Sequence, residues 1–342
     1  MPRRLLSLAF RALCLSLAFA LLARMLGSQD LDSLRRARET GRLLPCLAAL
    51  FLYLAVQFLG AWRWGLLLKA QGFPLPFWQA LRLTLGGNFF SLVIPGGVSG
   101  DLVKVGAATA AHPGKAPELA LADLLDRAIG LTGLFWAGLL SLCLPWGDAG
   151  ARLREASPAL LKAGLGVFLL GAAGSLLFFL GWLLWPARLQ DGNSPPPGKA
   201  PRLPFLRRPL KRLGAALAPY RGNPLVLGKA LALSILIHLL LGIEFLLLGR
   251  ALGESFLDAP AYLLSTQLAN ATALLPITPG GVGVRDTVAQ SLLLAFGATP
   301  PESATLIPLL HTLILTFWGL KGGFLYALTP APSRPPTTGP HP

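Results

Sequence analysis

Six long apolar runs limit what this chain can fold into more than any other feature of its sequence. At 1.5 Å per residue, a helix of about 20 apolar residues crosses a hydrocarbon core of about 30 Å. Only 13% of the 342 residues are charged and 54% are hydrophobic, whereas a soluble domain carries about 25% charged residues. This composition excludes a soluble enzyme and a disordered chain. We predict an all-α polytopic membrane protein with full spans at about 5–26, 43–69, 119–144, 159–185, 226–250 and 302–328.

Two further apolar regions, 75–111 and 259–297, are each interrupted near the middle by a Pro-Gly-Gly sequence. Proline cannot donate a hydrogen bond to the helix ladder, and paired glycines allow backbone angles that other residues avoid. We therefore predict a helix, a hinge and a second helix in each region, which makes two broken-helix hairpins. A backbone broken in this way must be buried in protein or line a wet cavity, because lipid cannot satisfy its polar groups.

The two halves of the chain repeat each other at an offset of 184 residues. Pro95-Gly96-Gly97-Val98 recurs as Pro279-Gly280-Gly281-Val282, and Pro117-Glu118 recurs as Pro301-Glu302. A half that contains one hairpin crosses the membrane an odd number of times, so we predict that the two halves form an inverted repeat. Inverted repeats with broken helices at matching places are typical of transporters whose site lies near the midplane of the membrane. The alternative is a duplication with a purely structural role.

A basic, proline-rich linker lies inside the second repeat. Residues 186–225 contain eight basic residues and a single acid, Asp191. This bias predicts a cytoplasmic linker in contact with anionic lipids of the cytoplasmic leaflet, and cytoplasmic termini. Because the basic residues cluster in loops between spans, we expect no nucleic-acid partner. The predicted organisation is a single membrane domain at 1–328, with repeat A at about 5–144 and repeat B at about 159–328, and a disordered proline-rich tail at 329–342.

The start of the second helix in each hairpin is a candidate anion site. Its first amides lack partners and carry the positive end of the helix dipole, and glycine leaves room for an approaching oxygen. Lys104 and Arg285 add a cation within the first turns. Asp101 and Asp286 lie at the same helix starts. They either stabilise the helix as acids at its N-terminus, or hold these cations or a coupling proton, and both alternatives stay open.

Charged residues also occur inside a full span. Arg127 lies in the span at 119–144, where a charge normally faces a partner or a cavity. Asp123 precedes it by four residues, so the two side chains can pair on one helix face. The pair is either a structural ion pair, or an arrangement in which Asp123 holds Arg127 as a ligand for lipid phosphate.

Glu244, in the span at 226–250, is a candidate for proton relay, whereas we expect His238 and His311 to be hydrogen-bonded packing residues. All three cysteines lie in apolar runs, which predicts neither a disulfide framework nor a metal site. No catalytic residue and no cofactor is expected. The candidate substrate-binding residues are polar, charged or hinge residues of the two hairpins and of the span at 119–144: Asn88, Pro95, Gly96, Gly97, Asp101, Lys104, Asp123, Asp126, Arg127, Asn270, Pro276, Pro279, Gly280, Gly281, Arg285 and Asp286.

Three motifs together resemble the lysylphosphatidylglycerol synthase transmembrane region family, also called the flippase-like domain family. They are Pro95-Gly96-Gly97 with Gly100-Asp101, then Asp126-Arg127-Ala128-Ile129-Gly130, then Pro276 through Asp286, and the resemblance covers about 5–328. The last motif is similar to the family signature Pro-x-x-Pro-Gly-Gly-x-Gly-x-Arg-acid. Two positions depart from the family pattern but keep its charge, since Asp286 stands where glutamate is usual and Lys104 where arginine is usual.

The resemblance implies a lipid flippase or transporter that moves an anionic phospholipid across the bacterial cytoplasmic membrane. Larger family members join this region to a soluble aminoacyl-transfer domain. The longest loop here is the linker, so we expect no lysyl transfer by this chain. Two alternatives stay open. One is a membrane-embedded enzyme acting on a lipid phosphate, with magnesium held by Asp101, Asp123 and Asp126. The other is a scaffolding subunit of an envelope lipid pathway that binds partners through the linker.

Overall fold

The structure, a computed structural model, describes residue 39 and residues 42–93, 99–148, 150–151, 155, 158–184, 218–272 and 282–328. This part of the chain is all-α, as predicted. Its helices, in chain order, are α1 Leu43–Ala70, α2 Phe77–Val93, α3 Ser99–Ala111, α4 Ala116–Cys143, α5 Pro158–Leu184, α6 Pro224–Ala251, α7 Ala259–Thr272, α8 Val284–Phe296 and α9 Glu302–Leu328.

Five of the described helices, α1, α4, α5, α6 and α9, are long and apolar enough to cross a membrane. Their bounds agree with the predicted spans to within a few residues, because a long apolar run in lipid can satisfy its backbone only as a helix. The protein is therefore a multi-pass membrane protein. The predicted span at 5–26, the tail at 329–342 and residues 186–217 of the linker lie outside the described residues.

The two broken-helix hairpins form at the predicted places. The first consists of α2 and α3, and the second of α7 and α8. α2 has 17 residues and the other three have 13 or 14, which corresponds to about 25 Å and about 20 Å. The described part of each of these helices is shorter than a hydrocarbon core of about 30 Å.

The hinges between these half-helices, residues 94–98 and 273–281, lie outside the described residues. Seven of the predicted site residues fall there: Pro95, Gly96, Gly97, Pro276, Pro279, Gly280 and Gly281. Their roles stay predictions, and the structure places only the helix ends on either side of them.

The helices of the two halves pack against each other in a matching pattern. α1 contacts α6, α2 contacts α9, and α4 contacts α7. A repeat produces this pattern, because α1 to α4 correspond in order to α6 to α9. The repeat and its inverted orientation stay predictions, with which these contacts are compatible.

Glycines allow α2 to lie directly on its neighbours. A Cβ added at Gly100 of α3 would collide with the carbonyl oxygen of Gly87 and with the Ser91 hydroxyl. A Cβ at Gly322 of α9 would collide in the same way with the backbone of Leu85. Only glycine permits such close approaches between backbones. They fix α2 between α3 and α9 and thereby place the end of α2 that leads into the first hinge.

An apolar cluster holds the second hairpin. Phe168, Phe245, Tyr262, Phe296 and Ile307, from α5 to α9, are almost fully buried in it. Burial of side chains of this size stabilises the packing by about 1.5–3 kcal/mol each when the reference is water. This packing places the start of α8 beside α9, which brings Arg285 next to Thr312.

Candidate functional site

A cavity of about 410 Å³ lies between the two halves of the protein. One part of its wall is apolar and the other carries cationic, amide, imidazole and phenol groups. A cavity of this kind suits a ligand with a polar head and an apolar body. The lining residues are Tyr53, Val56, Gln57, Asn88, Arg127, Gly130, Leu131, Leu134, His238, Leu241, Asn270, Arg285, His311 and Leu315.

Four of the predicted site residues line this cavity: Asn88, Arg127, Asn270 and Arg285. Asn88 and Asn270 lie near the ends of α2 and α7, on the first helix of each hairpin. The Asn88 amide donates to the Gln57 side-chain oxygen at 2.6 Å. The two asparagines that precede the hinges therefore face the same space, although they are 182 residues apart in the sequence.

Asp101, at the start of α3, orients Arg127. The Arg127 guanidinium donates to an Asp101 carboxylate oxygen, and Lys104 lies 3.3 Å from the other oxygen of Asp101. Lys104 also lies 3.0 Å from Asp123 and 4.8 Å from the centre of the Trp64 ring. The expected pairing of Asp123 with Arg127 is thus corrected. Asp123 pairs with Lys104, and Arg127 pairs with Asp101 of the neighbouring half-helix α3.

Asp126 holds an arginine that the sequence analysis missed. The Arg63 guanidinium donates to both Asp126 oxygens, at 2.8 and 3.0 Å, and to the Ser234 hydroxyl at 3.0 Å. Arg63 lies in the apolar span α1, and the rule that a charge inside a span faces a partner would have identified it. Its pair with Asp126 joins α1 to α4, and the Ser234 contact adds α6.

These contacts form a compact ionic cluster behind the cavity wall. It contains three cations and three acids, so it is neutral in sum, and the low-dielectric surroundings make an unpaired member costly. Among these six, only Arg127 lines the cavity, and its side chain is 39% exposed. The members of the cluster are Arg63, Lys104, Arg127, Asp101, Asp123 and Asp126.

The second hairpin presents Arg285 to the cavity in a comparable way. One oxygen of Asp286 accepts from the Gly283 amide at 3.0 Å, which caps the start of α8. The other accepts from Arg285 at 3.1 Å and from the Thr312 hydroxyl at 2.9 Å, and Arg285 itself donates to Thr312. For Asp286, therefore, both alternatives that the sequence left open occur together: it stabilises a helix start and it holds a cation.

A third polar group reaches the cavity from α6 and α9. His311 lies 2.9 Å from a carboxylate oxygen of Glu244, which is fully buried. His238 contacts the Gly130 carbonyl oxygen at 3.1 Å through its Nε2 atom. Both histidines line the cavity, and both make the hydrogen-bonding contacts that the sequence analysis expected of them.

The acids do not have the surroundings of a metal site. Among the described residues, no group of three or more His, Cys, Asp or Glu side chains is arranged to hold a metal ion. Asp101, Asp123 and Asp126 each contact a lysine or an arginine instead. A cation in contact with each of these carboxylates opposes the binding of magnesium between them.

The fold and the cavity define a class: a multi-pass helical membrane protein with a polar cavity between two broken-helix hairpins. Within that class, the chain belongs to the lysylphosphatidylglycerol synthase TM region family, whose sequence model matches residues 5–320. The predicted family is thereby confirmed, and it associates this membrane domain with lipids. No curated protein matches the chain.

Proposed function

We propose that this protein moves an anionic phospholipid across the bacterial cytoplasmic membrane, with the phosphate held between Arg127 and Arg285. One observation carries the proposal: an arginine from each half lines the same cavity, and each has a carboxylate behind it. The planar guanidinium fork of an arginine is well matched to a phosphate, and the carboxylate fixes its orientation.

The rest of the wall supports a lipid as the ligand. Val56, Leu131, Leu134, Leu241 and Leu315 give the cavity an apolar side along which acyl chains can leave for the membrane. Gln57, Asn88 and Asn270 add donors and acceptors for the hydroxyl groups of a head group. The eight basic residues of the linker support a cytoplasmic position for that segment and for both termini.

Transbilayer movement of acyl-labelled phosphatidylglycerol in proteoliposomes tests the proposal. We expect movement with the unaltered protein and none above protein-free vesicles with Arg285→Ala. Arg285→Lys keeps the charge but loses the planar fork, so it retains part of the rate. The matched control is Arg82→Ala, which removes a half-buried arginine of α2 that does not line the cavity. Undiminished movement with both Arg127→Ala and Arg285→Ala would refute this site.

A further inference from the structure

Glu244 is a buried acid within a membrane span that the phosphate site leaves unused. It is 0% exposed, and one of its oxygens lies 2.9 Å from Nδ1 of His311. Its other oxygen has no hydrogen-bond partner among the described residues. An ionised acid inside a span costs several kcal/mol unless a nearby positive charge neutralises it. A protonated imidazole of His311 can supply that charge.

His311 connects this acid to the cavity. It lines the cavity itself, as does Tyr53, whose ring meets the imidazole edge-on with 5.8 Å between ring centres. Phe245 packs against the imidazole from another side, at 5.2 Å between ring centres. Glu244 is thus enclosed by protein, while its histidine partner borders the space in which a head group would bind.

The charged and titratable groups around the pair set how it responds to an anion. Tyr53 faces it from α1, and Arg285 and Asp286 of α8 reach the same turn of α9 through Thr312. Arg127 from α4 and His238 from α6 border the same cavity. The charges of Asp286 and Arg285 cancel in sum. A phosphate that binds Arg285 therefore adds a net negative charge near the pair.

We propose that Glu244 and His311 form a proton-binding site that couples lipid movement to the proton gradient; this rests on the proposed function. With a neutral imidazole, the pair carries one negative charge, which repels a phosphate. Uptake of one proton forms a single N–H bond on His311, gives an imidazolium beside the carboxylate, and makes the pair neutral. The anionic head group and the proton therefore favour each other's binding, and by linkage the effect is reciprocal.

Joint binding predicts that the lipid and the proton cross together. A lipid with one negative charge and one proton are neutral in sum, so a pH difference drives the movement but a membrane potential does not. One proton per lipid gives about tenfold more labelled phosphatidylglycerol in the leaflet on the alkaline side for a pH difference of one unit, since tenfold corresponds to about 1.4 kcal/mol.

The test measures this distribution in proteoliposomes with an imposed pH difference or an imposed potential. Glu244→Gln keeps a hydrogen-bonding oxygen for His311 but removes the charge, so movement persists and the pH difference no longer biases it. Glu118→Gln, at an exposed pair with Lys115, is the matched control and keeps the tenfold bias. The proposal is overturned if the unaltered protein distributes the labelled lipid equally between the two leaflets under a pH difference. It is also overturned if Glu244→Gln keeps the tenfold bias. If Glu244→Gln does not fold, His311→Asn is measured in its place, with the same expected loss of bias.

A second readout separates this proposal from the proposed function. The chain has four histidines, so the imidazole signals in a nuclear magnetic resonance titration can be assigned by substitution. We expect the His311 midpoint to move in Glu244→Gln and to stay in place in Glu118→Gln, whether or not any lipid moves. A His311 signal that does not titrate over the range in which the protein is folded overturns the proton site. Absent lipid movement together with a normal His311 titration refutes the transport function alone.

Discussion

Arg127 and His311 lie 184 residues apart, at the offset that also separates Pro95 from Pro279, and both line the same cavity. Arg127 lies on α4 and His311 on α9, the last long helix of each half. Each has its acid on another helix, Asp101 for Arg127 and Glu244 for His311. At the offset of the predicted repeat, the cavity wall therefore carries a permanent cation from the first half and a titratable group from the second.

Removing the acid behind Arg127 should strengthen anion binding. In Asp101→Asn the positive charge of Arg127 is no longer offset by the carboxylate behind it, so an anion in the cavity is attracted more strongly. Because the Arg127 side chain is 39% exposed, solvent screening limits the gain to about 1 kcal/mol, or about fivefold. Equilibrium binding of phosphatidylglycerol to the detergent-solubilised protein measures it. Asp148→Asn, at an exposed acid, should leave the affinity unchanged. Weaker binding in Asp101→Asn would show that the orientation of Arg127 by Asp101 outweighs the charge that Asp101 offsets.

The contributions of Arg63 and Asp126 to the free energy of unfolding should depend on each other. Arg63→Met leaves a nearly buried carboxylate without its two strongest donors and is expected to cost about 3–5 kcal/mol. The double variant Arg63→Met with Asp126→Leu removes both charges and should recover most of that loss. Denaturant unfolding in detergent micelles gives the comparison. Equal losses in the single and double variants would show that the two charges do not compensate each other.

The close approach of α2 and α3 predicts a sharp difference between two glycines of α3. Gly100→Ala forces a Cβ against the Gly87 carbonyl and the Ser91 hydroxyl, which should cost about 1–3 kcal/mol. Gly106→Ala places its Cβ in open space on the same helix and should be neutral or slightly stabilising, because alanine favours the helix. The melting temperatures of the two variants test this, and an equal decrease in both would contradict the packing.

Loss of the Thr312 hydroxyl should slow lipid movement far more than loss of the Thr316 hydroxyl, one helix turn further on. Thr312→Val removes the group that contacts both Arg285 and Asp286, at a cost of about 1.5–3 kcal/mol for a bond to charged groups. We expect at least about a tenfold slower lipid movement. In Thr316→Val the lost hydroxyl bonds only to the Thr312 carbonyl, so the rate should be nearly unchanged. Similar rates in the two variants would argue against positioning of Arg285 by Thr312.

Much of the fold follows from the sequence because the membrane leaves few choices. An apolar run that is long enough becomes a spanning helix, and a Pro-Gly-Gly sequence within such a run interrupts it. The outer bounds of the two hairpins, at 75–111 and 259–297, could therefore be predicted to within a few residues. The same hinges predicted that Asn88, Arg285 and Asn270 belong to one site, and the cavity brings them together.

Pairings between helices could not be predicted in this way. Spacing along one helix favours Asp123 for Arg127, but tertiary packing brings α3 close enough for Asp101 to take that place. Arg63 and Gln57 lie in an apolar span whose sequence does not show which helix they face. Glu244 and His311 are 67 residues apart, and no spacing rule connects them. Spacing rules describe neighbours on one helix, whereas seven of the described helices line this cavity.

The contact between Gly87 and Gly100 has a mechanical consequence. Two backbones that touch without side chains between them leave no gap that would let α3 move toward α2. A rotation of α3 about this contact would displace Asp101, which adjoins Gly100, least, and Ala111, at the far end of the helix, most. A rotation that moves Asp101 slightly away from Arg127 would therefore move the far end of α3 several times as far.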